Sequence, residues 1–292
     1  MDIKLLHKVF ATLSFLLALV VYLMTVQPSV PFWDCGEFSA AAMWQQVPHP
    51  PGAPLFLMIG KLFETFIPFG DIGWRINLAA VVSSAFTVLL TYLIGVRLIK
   101  SFFGEPKNIA EALSIFGSAF IGAAALTFSD TMWFNSVESE VYATSLTFVA
   151  LIIWLMMKWY EQSNEEGHER WLYLIAYLIG LSTGVHLLSI LTIFSLAFLI
   201  YFRKYKFNLK SFIIMSILAL VVFFIIYPVI VKWIPAFLAG HSADRNEAYE
   251  YSFESPFLTF IALATIISSV LGFVWGYINK KEWITIPTSA FI

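Results

Sequence analysis

The sequence has little charge and only one cysteine. Of its 292 residues 12% are charged and 60% are hydrophobic, whereas average soluble domains are about a quarter charged. A soluble core of this length could not bury so much apolar surface, so a bilayer must solvate much of the chain. The single cysteine, Cys35, excludes an internal disulfide framework and any multi-cysteine metal site. A basic stripe with interleaved aromatic residues is also lacking, so no nucleic-acid partner is predicted.

Long apolar runs are what the sequence does contain. They predict an all-α, polytopic membrane protein with about seven or eight membrane helices. The runs lie at about 9–27, 75–99, 109–128, 142–158, 171–202, 211–231 and 257–278. The first follows two lysines, as a signal peptide would, but it is long enough to span and Gln27-Pro28 is not a small-residue cleavage site. We expect one transmembrane domain over residues 1–292.

Basic residues are distributed unevenly between the gaps that separate these runs. Thirteen of the 17 Lys and Arg residues fall in one alternating set of gaps, and the other set holds only Lys61, Arg75, Lys232 and Arg245. Because basic loops stay in the cytoplasm, the N-terminus is predicted to be cytoplasmic, and segments 28–74, 129–141 and 232–256 non-cytoplasmic. Within segment 28–74, the apolar stretch 53–66 is too short to span and is predicted to be an interfacial helix.

Segment 171–202 runs from one basic gap to another. If both gaps are cytoplasmic, the segment enters the membrane and returns, as two short helices with a break around Gly180–Gly184, just before His186. Broken backbone at membrane depth is tolerated only where protein or a wet cavity covers it. The alternative is that the segment is one long span. In that case one of the two flanking basic gaps lies outside the cytoplasm.

Two carboxylates follow the first predicted helix. In the run FWDCGEF, residues 32–38, Asp34 and Glu37 would face the same side of a helix start. One interpretation is a catalytic carboxylate, Asp34, at the membrane surface with Glu37 beside it. The other is a capping box, in which Asp34 accepts a backbone N–H and Glu37 reaches back to the cap residue. The two interpretations do not exclude each other.

A proline-rich loop, VPHPPGAP, follows at residues 47–54. Its four prolines and one glycine prevent regular structure and stiffen the backbone, which suits a loop that holds His49 in place. The alternative is that the prolines only start the next helix at Pro54, while His49 is structural or solvated.

Three acidic residues, Asp130, Glu138 and Glu140, lie in the second non-cytoplasmic segment. A solvated loop would explain them, yet acids close to a membrane are costly unless they face water or a partner. Together with Asp34 and Glu37, they could form an acidic pocket or bind a divalent cation through oxygen ligands. Glu138 and Glu140 are the candidate metal ligands.

Two further residues are candidates for binding. His186 lies in an otherwise apolar segment, where an ionisable residue indicates a functional site unless a neighbouring carbonyl satisfies a neutral imidazole. Arg245, in the last non-cytoplasmic segment, is a candidate for a lipid phosphate, because a guanidinium pairs two phosphate oxygens. A plain surface arginine is the alternative for Arg245.

Three motifs together resemble a known family: WDCGEF at 33–38, HPPGAPLF at 49–56 and ESEVY at 138–142. Their order and spacing are similar to those of bacterial membrane proteins related to the protein O-mannosyltransferase that modifies immunoglobulin-like domains of plexins and receptor kinases. That family belongs to the GT-C superfamily of polytopic glycosyltransferases. The resemblance extends over nearly the whole chain, and the pair D-x-G-E and H-P-P-G is its most specific part.

The resemblance implies a glycosyltransferase whose donor is a sugar on a polyprenyl-phosphate carrier and whose site faces the periplasm of a bacterial inner membrane. It implies a catalytic role for Asp34, the acidic residue of the first outer loop. On this basis we expect an inverting transfer of a mannose-like sugar to Ser or Thr of an exported protein, with Glu37 also in the catalytic group. Five residues are expected to contact substrate: His49, Glu138, Glu140, His186 and Arg245. Family members are usually longer, so the chain is expected to be their N-terminal membrane part.

Two other classes of function stay open. Broken helices and buried ionisable residues are also typical of transporters or flippases, here for a lipid-linked substrate. The sequence has no paired inverted halves, and most of its polar residues lie at the outer rim rather than at the midplane, which weighs against transport. A non-catalytic membrane scaffold is the third possibility. Apart from a divalent cation, no cofactor is indicated.

Overall fold

Every regular element in the described part of the chain is helical. The computed structural model describes residues 2–233 and 256–281, with side chains for 2–231 and 263–281. In chain order the helices are α1 (Ile3–Thr25), α2 (Cys35–Trp44), α3 (Pro54–Phe66), α4 (Ile72–Phe103), α5 (Ile109–Thr127), α6 (Asp130–Ser136), α7 (Val141–Gln162), α8 (Glu169–Ser182), α9 (Thr192–Lys204), α10 (Leu209–Phe224) and α11 (Pro256–Ile278). A 3₁₀ helix, Leu187–Leu191, precedes α9, and a π-helical segment, Ile225–Trp233, continues α10.

Six helices in these described ranges are long and apolar enough to cross a membrane. They are Ile3–Thr25, Ile72–Phe103, Ile109–Thr127, Val141–Gln162, Leu187–Lys204 and Leu209–Val231. In α11 the apolar stretch with described side chains, Leu263–Ile278, is shorter. The chain is therefore a multi-pass helical membrane protein, as its apolar runs predict.

Several helices extend beyond the apolar runs that predict them at one end or both. The first run begins at about residue 9, but α1 starts at Ile3, where the Asp2 side chain accepts the Lys4 backbone N–H at 3.1 Å. In the same way, α7 continues to Gln162, past the predicted end at 158. An apolar run marks the part of a helix that lipid solvates, whereas hydrogen bonding and capping decide where the helix ends.

The chain forms two compact units. The first contains residues 1–162 and 178–192. In it α1, α5 and α7 pack around α4, whose buried face includes Val81, Val88 and Tyr92. Hydroxyl groups join α4 to α7, because Thr87 Oγ1 lies 2.9 Å from Thr147 Oγ1. Such pairs satisfy polar groups between membrane helices.

The second unit contains residues 163–177 and the chain from Ile193 onward. Asn208 caps α10 by accepting the backbone N–H groups of Lys210 and Ser211. The Tyr201 hydroxyl of α9 lies 2.7 Å from Ser211 Oγ, and Arg203 Nε donates to Ser163 Oγ at 2.6 Å. These bonds hold α9 against the start of α10 and against the segment that follows α7.

The predicted break in segment 171–202 is confirmed. Helix α8 ends at Ser182, a turn follows, and His186 starts the 3₁₀ helix. The Gly184 carbonyl accepts the Leu55 N–H at 2.7 Å, so the broken backbone bonds to the first turn of α3. A Cβ on Gly184 would lie 3.1 Å from Leu55 Cβ, which shows how closely the two backbones approach. That both flanks of the break face the cytoplasm stays a prediction.

Helix α3 corresponds to the predicted interfacial helix. Pro54 occupies its first turn, where the missing N–H costs nothing. One face is buried against the protein (Phe56, Leu57 and Gly60), and another is apolar and exposed (Met58, Leu62 and Phe66). An exposed apolar face suits a helix that lies on a membrane surface, and this position stays a prediction.

Candidate active site

Asp34 lies directly before α2, at the end of the loop that follows α1. Its backbone is already helical, with φ of −69° and ψ of −10°, whereas a capping side chain needs an extended backbone. Accordingly Asp34 makes no side-chain cap hydrogen bond, and both Glu37 oxygens bond elsewhere, to His49. The capping-box interpretation is therefore wrong. The Asp34 side chain is 61% exposed to solvent.

The residue before Asp34 is strained. Trp33 has a left-handed backbone with φ of 62°, which costs a residue with a side chain about 1–2 kcal/mol. Its side chain does not pack into the protein, being exposed. Backbone strain of this kind concentrates at functional sites, where the surroundings enforce it. Here it turns the chain sharply into α2 and presents Asp34 at the helix start.

Glu37 holds His49 of the proline-rich loop. The His49 backbone N–H donates to Glu37 Oε1 at 2.6 Å, and its Nδ1–H donates to Oε2 at 2.7 Å. Because one carboxylate binds both the backbone and the ring, the imidazole has a fixed position. Its Nε2 lies 4.0 Å from Asp34 Oδ2. Residues from two separate motifs thus form one cluster, which we call the Asp34–Glu37–His49 cluster.

The loop reaches this position through left-handed backbone at three points. Gln45 ends α2 with φ of 52°, and Gly52 and Ala53 lead into α3 with φ of 88° and 39°. Glycine accepts such angles without cost, while Gln45 and Ala53 do so with strain. The loop is also closed by a hydrogen bond from the Gly52 N–H to the His49 carbonyl at 3.0 Å.

The contact between Glu37 and His49 shifts both pKa values. Hydrogen bonds from the His49 ring and backbone hold the Glu37 pKa below its usual value. The hydrogen bond to Glu37 raises the His49 pKa, and the charges of Glu37, Asp34 and Glu140 add to the increase. Both side chains of the pair are 44% exposed, so solvent screens it and its contribution to stability is small. The consequence for chemistry is a larger protonated fraction of His49 at neutral pH.

The ESEVY segment docks against α2. Ser139 Oγ lies 2.9 Å from Ser39 Oγ, and Cys35 donates its S–H to Glu140 Oε1 at 3.6 Å. Cys35 and Ser39 are one turn apart on the buried face of α2, so the two contacts fix the segment along that helix. Burial and the charges of Glu140 and Glu138 raise the Cys35 pKa to about 12, so this residue remains a thiol.

Both acidic residues of this segment are buried. Glu138 is 5% exposed and Glu140 is 8% exposed, so the solvated-loop interpretation is wrong for them. Burial raises the Glu138 pKa to about 7, and the Glu140 charge contributes. Burial also raises the Glu140 pKa; the nearby Asp34 carboxylate adds to this effect and the Cys35 hydrogen bond opposes it. Glu140 therefore lies within electrostatic range of Asp34, and the three motifs meet at one place.

The Asp34–Glu37–His49 cluster also has the spacing of a cation site. Each residue can offer one ligand atom, and these atoms lie within 4.8 Å of one another. Carboxylate and imidazole donors suit divalent metals. Glu37 already uses both oxygens for His49, however, so a cation would have to displace those hydrogen bonds. Glu138 and Glu140, the ligands predicted from sequence, are not part of this group.

His186 contacts Tyr142, the last residue of the ESEVY segment. Its Nδ1 accepts the Leu188 N–H at 3.2 Å, which caps the 3₁₀ helix, and its ring centroid is 5.3 Å from that of Tyr142. Because Nδ1 is an acceptor here, the neutral ring carries its proton on Nε2. Within residues 2–233 and 256–281, that Nε2–H has no protein partner. A neighbouring carbonyl, the alternative predicted from sequence, does not satisfy it.

Two residues complete the comparison of this site with its sequence. Arg245, predicted to bind a lipid phosphate, lies outside the described residues. The sequence identifies Cys35 only as a lone cysteine, although its S–H bonds to Glu140. Its spacing of four from Ser39 was the signal that both residues share one face of α2.

Comparison with known families bears on the candidate site residues between 34 and 209. Residues 34–209 match the family model described as the N-terminal domain of the protein O-mannosyl-transferase TMEM260. The match covers more than half of the chain. The chain belongs to this family. As a member of the TMEM260 N-terminal domain family, it carries Asp34, the His49 loop, the ESEVY segment and His186 inside the matched region.

Two curated relatives are each similar to more than half of the chain. The protein O-mannosyl-transferase TMEM260 of Mus musculus is 29% identical over 162 residues, which are 56% of this chain and 21% of the relative. The protein O-mannosyl-transferase tmem260 of Dictyostelium discoideum is 27% identical over 161 residues, 54% of this chain and 18% of the relative. The aligned region thus spans about a fifth of each relative's length. No solved structure matches the chain.

Proposed function

We propose that the chain is the membrane part of a GT-C type protein O-mannosyltransferase. It transfers a mannose-like sugar from a polyprenyl-phosphate carrier to Ser or Thr hydroxyls of an exported protein, on the periplasmic face of a bacterial inner membrane. Family membership supports the class of reaction. The observation that carries the proposal is the convergence of three motifs on one accessible carboxylate, Asp34, at the start of α2.

Asp34 acts as the general base. The acceptor oxygen attacks the anomeric carbon, a new C–O bond forms, and the bond from that carbon to the carrier phosphate breaks. The hydroxyl proton passes to the Asp34 carboxylate, and the polyprenyl phosphate leaves with the bonding electrons. One displacement inverts the anomeric configuration. A positioned base of this kind contributes about 10²–10⁴-fold to a rate.

Glu37 and His49 position Asp34. Protonated His49 presents Nε2–H toward Asp34 Oδ2 from 4.0 Å, a distance that allows attraction between charges but not a hydrogen bond. Glu37 fixes the ring and favours its cation. Glu37 thus acts through His49 and is a positioning residue, although the sequence suggested that it belongs to the catalytic group.

The two buried glutamates line the sugar side of the site in this proposal. Glu138 has a pKa of about 7 and is protonated in part of the population at neutral pH. A protonated carboxyl can donate a hydrogen bond to a sugar hydroxyl, and a Glu140 oxygen can accept one. Arg245 stays a predicted contact of the carrier phosphate. A divalent cation bound at the Asp34–Glu37–His49 cluster would supply positive charge there, but it would replace the hydrogen bonds between Glu37 and His49 on which the positioning role depends.

The experiment uses the full chain in detergent or membranes with a radiolabelled mannosyl polyprenyl phosphate and an acceptor peptide. We expect label on a peptide that contains Ser and Thr, none on the same peptide with Ala at those positions, and an anomeric configuration opposite to that of the donor. Loss of transfer with a chelator would assign a role to a cation. Movement of the lipid-linked sugar across vesicle bilayers without peptide labelling would contradict the proposal and favour a flippase.

A further inference from the structure

An apolar pocket has Tyr142, the last residue of the ESEVY segment, in its lining. Its volume is about 400 Å³, and its walls are the end of α5, the short helix α6, the first turns of α7 and Leu188. Pockets for small ligands usually measure about 300–1,000 Å³. The lining side chains that matter here are Met132, Tyr142, Leu146 and Val149, which are apolar except for the tyrosine hydroxyl.

The pocket is open along one side. Tyr142 is 49% exposed, Leu146 is 39% exposed and Leu188 is 52% exposed, although all three belong to or flank apolar helices. Tyr142 is in the first turn of α7, and Val149 lies two turns further, about 10 Å along the helix axis. The pocket therefore follows α7 into its membrane-spanning part and is accessible from the side that lipid would solvate.

Hydrogen-bonding groups lie at the end of the pocket near the start of α7. His186 contacts both rim residues there, because its ring lies against that of Tyr142 at an interplanar angle of 55° and its Nδ1 accepts the Leu188 N–H. Its Nε2–H has no protein partner among the described residues. Ser145, one turn beyond Tyr142, is 2% exposed, and its Oγ also lacks a partner in the described part of the chain. A buried hydroxyl without a partner costs stability unless a ligand or water satisfies it.

We propose that this pocket binds the phosphate-proximal isoprene units of a polyprenyl phosphate, with His186 Nε2–H donating to a phosphate oxygen. The assignment rests on the proposed function and adds the residues that hold the carrier. The order of groups supports it: an apolar wall along α7, donors at its mouth, and then Glu140, two residues before Tyr142, in the acidic site. An anionic phosphate next to buried carboxylates needs a donor that offsets their repulsion, and His186 supplies one.

Two substitutions separate the tail contact from the phosphate contact. Val149→Phe fills the pocket. His186→Asn keeps a side-chain oxygen that can cap the 3₁₀ helix, since Asn is a favoured cap residue, but removes the Nε2–H. Leu113→Phe, on an exposed position of α5 outside the pocket, is the matched control.

The measurement is binding of three probes to the purified full chain: a polyprenyl phosphate without sugar, the corresponding polyprenol, and a phosphatidic acid. We expect Val149→Phe to weaken the binding of both the polyprenyl phosphate and the polyprenol at least tenfold. His186→Asn should weaken binding of the polyprenyl phosphate about tenfold and leave binding of the polyprenol unchanged. Leu113→Phe should change the binding of neither prenyl probe. Parent-like binding by Val149→Phe or His186→Asn would overturn the assignment. So would equal competition by phosphatidic acid, which indicates a general phospholipid cleft.

These outcomes are distinguishable from failure of the proposed function. In one case the two variants weaken prenyl-phosphate binding, but the parent chain transfers no sugar. This result would remove the transferase proposal and leave the pocket assigned. Sugar transfer by both variants with unchanged KM for the donor would remove the pocket assignment and leave the transferase proposal in place.

Discussion

The Glu37 carboxylate gives both of its oxygens to His49, and this single pairing decides how the cluster titrates. The pair contributes to stability in the pH window between the lowered Glu37 pKa and the raised His49 pKa. It is lost at lower pH as Glu37 gains a proton and at higher pH as His49 loses one. Because both groups are half exposed, we expect the effect to appear in activity rather than in unfolding.

Glu37→Gln tests this pairing. The neutral amide no longer favours the imidazolium, so the His49 pKa falls toward its usual value. If the His49 cation positions Asp34, the alkaline decline of the transfer rate should begin at lower pH in the variant than in the parent. The measurement is a pH–rate profile at saturating donor. Identical alkaline limbs in parent and variant would remove the His49 cation from the mechanism.

Glu138→Gln tests the buried acid. In the folded chain Glu138 has a pKa of about 7, whereas in the unfolded chain its pKa returns to the usual glutamate value. Between these two pKa values the folded chain binds more protons than the unfolded chain. Folding stability therefore falls as pH rises through this range. The substitution removes this penalty, which is at most about 3 kcal/mol above pH 7. We expect the Tm of the variant to exceed that of the parent by more at pH 8 than at pH 5, as followed by tryptophan fluorescence in detergent. An equal difference at both pH values would contradict a buried, partly protonated Glu138.

At the scale of elements, the start of α4 positions the loop that carries Asp34. Asn77 donates its side-chain N–H groups to the Gln27 and Ser29 carbonyls at 3.0 and 2.9 Å. Gly73 lets the loop pass directly over the helix, since a Cβ there would lie 2.6 Å from the Val30 backbone nitrogen. The location of the base thus depends on a helix start some forty residues further along the chain.

Gly73→Ala should therefore displace the loop. The added methyl group meets backbone rather than a flexible side chain, and overpacking of this kind typically costs about 1–3 kcal/mol. We expect a lower Tm and at least a tenfold loss of transfer. Gly122→Ala in α5 is the control, because a Cβ there meets nothing within 4 Å. A Gly73→Ala variant with parent-like Tm and activity would show that the loop is held elsewhere.

The elements themselves were largely predictable from the sequence, and the site was predictable in part. Apolar runs and caps act locally, so the spans, helix α3 and the break before His186 follow from nearby residues. The burial of Glu138 and Glu140 does not, because it depends on docking against α2, where Cys35 and Glu140 are 105 residues apart. The same holds for Glu37: a spacing of three from Asp34 suggested a cap, and only the return of the proline-rich loop gives it His49 instead.

At the scale of the whole molecule, the distribution of basic residues predicts orientation. We expect the 163–170 and 203–210 segments to face the cytoplasm together, on opposite ends of the broken segment, with Asp130 on the other side of the membrane. Cys35 is buried, so new cysteines can be labelled over a low background. A membrane-impermeant maleimide added outside should label Asp130→Cys, but Glu166→Cys and Phe207→Cys only after permeabilisation. Labelling of those two from opposite sides would show that 171–202 is a single span.

The proposed transfer reaction depends most on the Asp34 carboxylate as the base that receives the acceptor's proton. The most direct measurement is the single-turnover transfer rate of Asp34→Asn at saturating donor, with Asp130→Asn, another acid of a predicted outer segment, as control. The amide preserves shape but cannot take a proton, so we predict a loss of at least about 100-fold with unchanged Tm and unchanged polyprenyl-phosphate binding. A transfer rate of Asp34→Asn within a few-fold of the rates of the parent and the control would show that Asp34 is not the base.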